Sequence, residues 1–213
     1  IIGQALRKTV PMYSELAVRE LVANALIHQD FFVGGAGPMV EIFSDRLEIT
    51  NPGEPLVDVR RFVDSPPKSR NDALASLMRR VRICEERGSG IDKVVFQIEL
   101  FQLPAPLFER PDGFTRAVLF ASKPLTAMDR ADRVRACYLH ACLSYVMRKP
   151  VTNTSIRKRF GIEEQNAALA SRLLNEAVED KAIVVRDRKV GTRSRSYLPY
   201  WAAPQAGESG SVA

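Results

Sequence analysis

Glu20, Asn24 and His28 stand four residues apart within Arg19-Glu20-Leu21-Val22-Ala23-Asn24-Ala25-Leu26-Ile27-His28-Gln29-Asp30. Leu16, Leu21, Ala25 and Ile27 flank them at helical spacing, so a helix over 12–30 is expected, with the three polar side chains along one line. A carboxylate and a carboxamide one turn apart can serve a proton transfer and a hard metal ion together. The same spacing also describes a solvated stripe. His28 reads as a helix-end residue bonded to Asp30 or to backbone.

Two further groups of residues could meet an anionic ligand. Gly88-Ser89-Gly90 stands just before a helical run through Ile91, Val94, Val95, Ile98 and Phe101. Glycines there let phosphate oxygens approach free N–H groups at the positive end of a helix, although they also suit a plain turn. Further on, Arg186, Arg188, Lys189, Arg193 and Arg195 crowd one short segment, which suits phosphate contacts or a solvated basic loop.

The elements that must position these groups follow in order. Ser14 is a plausible N-cap for the first helix. Val40, Ile42, Leu47 and Ile49 alternate with polar residues around Ser44-Asp45-Arg46, which predicts two strands and a tight turn. Asn51-Pro52-Gly53-Glu54-Pro55 ends the second strand, and residues 58–71, with Pro66-Pro67, read as a mobile loop. A helix over 71–82, the helix from 91, and one or two strands through Phe108, Phe114, Val118 and Phe120 complete an α+β unit with helices on one face of a mostly antiparallel sheet.

The chain has 213 residues, 46% hydrophobic and 26% charged, with three cysteines. That composition is globular, and no run of about eighteen apolar residues predicts a membrane span. Cys84, Cys137 and Cys142 have no zinc spacing and read as free thiols of a cytoplasmic protein. The opening Ile1-Ile2-Gly3-Gln4 lacks an initiator Met and a signal-peptide pattern, so a fragment of a longer protein is expected. Residues 1–128 carry 16 Lys+Arg against 16 Asp+Glu, while residues 129–201 carry 15 against 8. A neutral first part and a basic second part predict two tasks, the second facing an anionic polymer.

Three ordered motifs carry a family resemblance: Arg19-Glu20 with Asn24-Ala25 and His28, then Asp45-Arg46-Leu47-Glu48-Ile49-Thr50-Asn51-Pro52-Gly53, then Glu86-Arg87-Gly88-Ser89-Gly90-Ile91. Over roughly residues 12–121 the chain resembles the GHKL-type ATPase-like domain of RecG-like and Schlafen/AlbA-type DNA-associated regulators. The resemblance implies a histidine-kinase/gyrase-like α/β sandwich that binds ATP and Mg²⁺. It assigns Glu20 to activating water and Asn24 to the metal. It also places Asn51, Gly53, Gly88, Ser89 and Gly90 against the nucleotide, with residues 58–86 as a lid. Hydrolysing relatives usually carry Asp where Asn51 stands, and Asn51 offers an acceptor without the charge. A motor helicase would need a G-x-x-x-x-G-K-[ST] loop, and this chain has none.

Beyond a linker at 123–128, residues 129–201 predict helix–helix–helix–hairpin, the order of a winged helix. Arg172 on the third helix and the five basic residues of the hairpin loop are the DNA-binding candidates; Glu163 and Glu164 at the start of that helix make the hairpin the better one. Residues 1–122 are thus expected to be the ATPase-like domain and residues 202–213 a disordered tail. The expected protein is a DNA-associated regulator whose nucleotide site tunes contacts between domains or between protomers of a dimer. Its alternatives are a hydrolytic ATPase in DNA repair or defence and a nucleotide-free dimerisation scaffold.

Overall fold

The computed structural model describes residues 12–84, 90–187, 189–191 and 194–203. The first helix, α1 (Glu15–His28), starts where Ser14 accepts a hydrogen bond from the Ala17 N–H at 3.4 Å. Strands β1 (Met39–Ile42) and β2 (Arg46–Pro52) form the expected hairpin, closed by Phe43 N donating to Arg46 O at 2.8 Å. Helices α2 (Asp72–Arg80) and α3 (Gly90–Leu100) follow, then β3 (Leu107–Glu109) and β4 (Phe114–Phe120).

The sheet is antiparallel in the order β1-β2-β4-β3. Ala17, Leu21 and Ala25 of α1 meet Val94 and Ile98 of α3, and together they cover Leu47, Ile49 and Leu119 of the sheet. Each Leu, Ile or Val among them contributes roughly 1.5–3 kcal/mol when removed from water. β1 lies outside this core. As the edge strand it leaves Met39, Val40 and Ile42 exposed, so its alternation does not mark a buried face.

The second half contains α4 (Arg130–Val146), α5 (Asn153–Phe160) and α6 (Ala167–Glu179), then the antiparallel pair β5 (Ile183–Val185) and β6 (Tyr197–Pro199). Thr152 and Ser155 exchange hydrogen bonds as a capping box at the start of α5, and Gly161 ends that helix with φ of 64°. The segment before α4 is anchored: Met128 is buried and Lys123 pairs with Asp132.

The two halves share packing. Val63, Val95 and Ala105 belong to the same apolar cluster as Cys137, Leu173 and Ile183. Buried Arg159 of α5 donates to Leu103 O at 2.8 Å and faces Glu99 of α3, which also holds His140 Nδ1 at 3.0 Å. Cys84, Cys137 and Cys142 are free, and burial pushes the thiols of Cys137 and Cys142 up to about 12, so neither is a nucleophile at neutral pH. Among the described residues no helix is long and apolar enough to cross a membrane.

Candidate ligand site

A cleft of about 180 Å³ opens between α1, the first turn of α3 and the face of the sheet. Asn24, Ala25 and His28 line it from α1, Ile49 and Asn51 from β2, and Thr115 and Ala117 from β4. Gly90 and Ile91 close one end. Glu54–Val57, Phe62 and Ser65–Lys68 form the outer wall.

Strand register places Asn51 opposite Thr115 and so fixes the floor. Asn51 is buried, and its Nδ2 donates to Pro52 O at 3.2 Å, which leaves Oδ1 as the acceptor. Thr115 Oγ1 donates to Gly53 O at 2.8 Å. Gly53 has φ of 107°, and a β-carbon there would lie 3.0 Å from Asp30 Cβ, so a side chain in the turn after β2 would be both strained and crowded.

The C-terminal end of α1 is tied down by the segment read as a mobile loop. Arg70 donates to His28 O at 3.0 Å and to Glu54 O at 2.6 Å, and reaches Asp30 at 3.4 Å. Asn71 Nδ2 donates to Ile27 O and Gln29 O, both at 2.8 Å. These bonds satisfy carbonyls that a helix end leaves without partners. Segment 58–71 is therefore anchored rather than free: Asp58 caps a short turn at its start and Arg70 and Asn71 hold its end.

The polar line along α1 divides. Glu20 is 4% exposed and has Arg19 at 3.4 Å, whereas Asn24 and His28 face the cleft. His28 makes no bond with Asp30, whose carboxylate is taken by Phe32 N and Arg70. Burial and then the nearby Arg70 charge lower the His28 pKa, so its ring is neutral at pH 7. A β-carbon at Gly90 would meet Glu20 Oε2 at 3.3 Å and Asn24 Nδ2 at 3.5 Å, so the start of α3 and the polar line form one corner of the cleft.

Among the predicted site residues, Asn24, Asn51 and Gly90 line the cleft; Glu20 lies against Gly90, and Gly53 O accepts from the lining residue Thr115. Gly88 and Ser89 lie outside the described residues, as do Arg188 and Arg193. Arg172 is exposed on α6, and Arg186 and Lys189 are exposed beyond β5. Arg195 is half-buried, and its Nε is enclosed without a hydrogen-bond partner among the described residues. Sequence reasoning missed Glu54, Thr115 and Lys68. Glu54 holds Gly113 N and Arg110. Lys68 is exposed at the rim and, among the described residues, forms no ion pair. A lone lysine after two prolines gives no signal of its own; only the fold returns it to the cleft.

Residues 35–119 match the family model described as "Putative ATP-dependent DNA helicase recG C-terminal". The matched segment contains the sheet up to Leu119, Asn51, Gly53 and all of α3, and supports an ATPase-like domain there; it begins after α1. The crystal structure of the DIP2311 protein from Corynebacterium diphtheriae is similar, with 20% identity and a TM-score of 0.53. The likeness covers 90% of this chain and 42% of that one, so this chain spans less than half its length, and the likeness is one of fold. No curated protein matches the chain.

Proposed function

We propose that the chain binds an adenine nucleotide with Mg²⁺ in this cleft and contacts DNA through its basic second half. The observation that carries the reading is the corner at Gly90: the N-terminal turn of a helix, bare of a side chain, set against Glu20 and Asn24 at one end of a cleft floored by Asn51. Polyphosphate suits the helix end, and an adenine amine suits Asn51 Oδ1. Asn24 fits Mg²⁺ as one neutral oxygen ligand. Among the described residues no three of His, Cys, Asp and Glu converge to bind a metal, so the ion would depend on phosphate oxygens, as Mg²⁺ commonly does. Bound there, Mg²⁺ would neutralise phosphate charge. Gly88 and Ser89 would extend the phosphate contacts. The RecG-type match over residues 35–119 favours this class of ligand.

Glu20 is the candidate base for activating water. Its seat beside Gly90 keeps the hydrolytic alternative open as a second reading. For DNA, we assign the order α4–α5–α6–β5–β6 to a winged helix, with residues 1–122 and 129–201 as the two domains. Arg172, Arg186, Arg188, Lys189, Arg193 and Arg195 are the proposed phosphate contacts, and a dimer is the proposed assembly.

Calorimetric titration with Mg-ATP tests the cleft. Heat above the buffer control, lost in Asn51→Leu, supports the reading; no heat from the folded protein overturns it. DNA affinity against salt tests the second half: Arg186→Ala with Arg195→Ala should reduce the magnitude of the salt slope by about 2. An unchanged slope removes the hairpin as the DNA contact.

A further inference from the structure

The outer wall of the cleft is held by residues far beyond the family-matched segment. Arg60 and Arg61, just before wall residue Phe62, each lie over an aromatic ring of the second half. The Arg60 guanidinium carbon is 4.4 Å from the centre of the Tyr200 ring, and that of Arg61 is 4.3 Å from Trp201. The Tyr138 hydroxyl donates to Arg60 O and accepts from Trp201 Nε1 at 3.2 Å. Arg61 also pairs with Asp64, and Val63 is buried in the cluster built around α4 and α6.

Arg60, Arg61 and Val63 are thereby fixed from the second half or packed into it. The chain then passes directly to Ser65–Lys68, which line the cleft, while Phe62 meets Phe108 edge to face at 5.3 Å across the cleft lining. Cation–ring contacts and a bond to a main-chain carbonyl act on the backbone path itself, so their loss changes where the wall stands. Tyr200 and Trp201 follow β6 without a break, which puts the end of the β5–β6 hairpin in the same array.

We propose that Tyr138 and Trp201 are positioning residues of the ligand cleft: the second half sets the wall from Arg60 to Lys68, and occupancy of the cleft is transmitted back to Trp201. The second clause rests on the nucleotide reading above; the first does not.

The test has a ligand-free arm. In the intact chain, Trp201→Ala should speed amide hydrogen exchange over residues 60–68 by about ten-fold, with α1 and β2 unchanged, and Trp201→Phe, which keeps a ring over Arg61, should restore it. Tyr138→Phe removes only the hydroxyl and should act in the same direction, so it decides the matter if Trp201→Ala does not fold. Unchanged exchange over 60–68 in a folded variant overturns the proposal. The second arm uses the single tryptophan of the chain as its own reporter. Titrating Mg-ATP into the wild-type protein should shift Trp201 emission with the midpoint that calorimetry gives. Heat without an emission change overturns the transmission and leaves nucleotide binding intact. No heat overturns the nucleotide reading and with it the transmission, while the exchange arm still decides whether the second half positions the wall.

Discussion

Gly90 approaches Glu20 so closely that a β-carbon at 90 would stand 3.3 Å from Oε2, although seventy residues separate the two in the chain. Gly90 is not among the positive-φ glycines, so its requirement is closeness rather than backbone freedom. Alanine there gains about 1 kcal/mol of helix propensity and loses a similar amount to the tight contact, so stability should stay within about 1 kcal/mol of wild type. Mg-ATP affinity should nevertheless fall about ten-fold, because the added methyl occupies the bare corner. Calorimetry of Gly90→Ala beside a urea titration checks both, and wild-type affinity would remove the corner from the site. Gly53 is the opposite case: with φ of 107° and Asp30 Cβ at 3.0 Å, Gly53→Ala should cost about 2 kcal/mol or more, the left-handed strain plus the clash.

The contrast between local and distant signals explains what the sequence could tell. The span of α1, the β1–β2 hairpin, α3 and the stop at Gly161 rest on periodicity, Ser14 capping and a left-handed glycine, all local effects. Burial of Glu20 depends on α3 coming back over α1, and exposure of Val40 depends on β1 being at the edge. Neither is written in the spacing. The loop at 58–71 reads as mobile because prolines and polar residues dominate it. Its anchors are main-chain carbonyls of α1, 42 to 44 residues earlier, which carry no side-chain signature. Arg60 and Arg61 likewise gain their aromatic partners from residues 138, 200 and 201.

Lys68 is exposed at the rim of the cleft and, among the described residues, forms no ion pair, so its charge is free to meet a bound polyphosphate. Lys68→Ala should weaken Mg-ATP binding about three- to ten-fold and leave adenosine binding unchanged, since a partly exposed contact to phosphate is worth roughly 1 kcal/mol. Raising the salt concentration should shrink the difference between variant and wild type. Equal losses for ATP and adenosine would show that Lys68 shapes the wall and does not read charge.

Two half-buried groups give the stability of the protein opposite slopes in pH. The His28 pKa is lowered by burial and by Arg70, so below about 6.5 the unfolded chain takes a proton that the native ring resists. Its contribution is therefore present above that value and lost as pH falls. Burial, and then the charge of Asp64, raise Asp92 from 3.8 to about 6. Here the native state holds the proton more tightly, so stability is greatest below 3.8 and declines as pH rises through about 6. Asp92→Asn should gain stability over wild type as pH rises from about 5 to about 8, and His28→Gln should flatten the loss below about 6.5. Urea midpoints across that range decide both; an Asp92→Asn difference that does not grow with pH would mean the carboxyl is already ionised at no penalty.

Arg159 closes the contact between the halves. It is 4% exposed, donates to Leu103 O, and lies 3.6 Å from Glu99, while burial lowers its pKa and the Glu99 charge opposes that shift. Removing one member of a buried pair strands the other, which typically costs 3–5 kcal/mol. His140 remains beside Glu99 at 3.0 Å, so Arg159→Leu should fall near the lower bound, about 3 kcal/mol. Because Arg159 joins α5 to the chain after α3, the same variant should also split urea unfolding into two transitions when far-ultraviolet dichroism is compared with Trp201 emission. A single transition with an unchanged midpoint would show that the apolar cluster of Val63, Val95 and Ala105 holds the halves together without the charge.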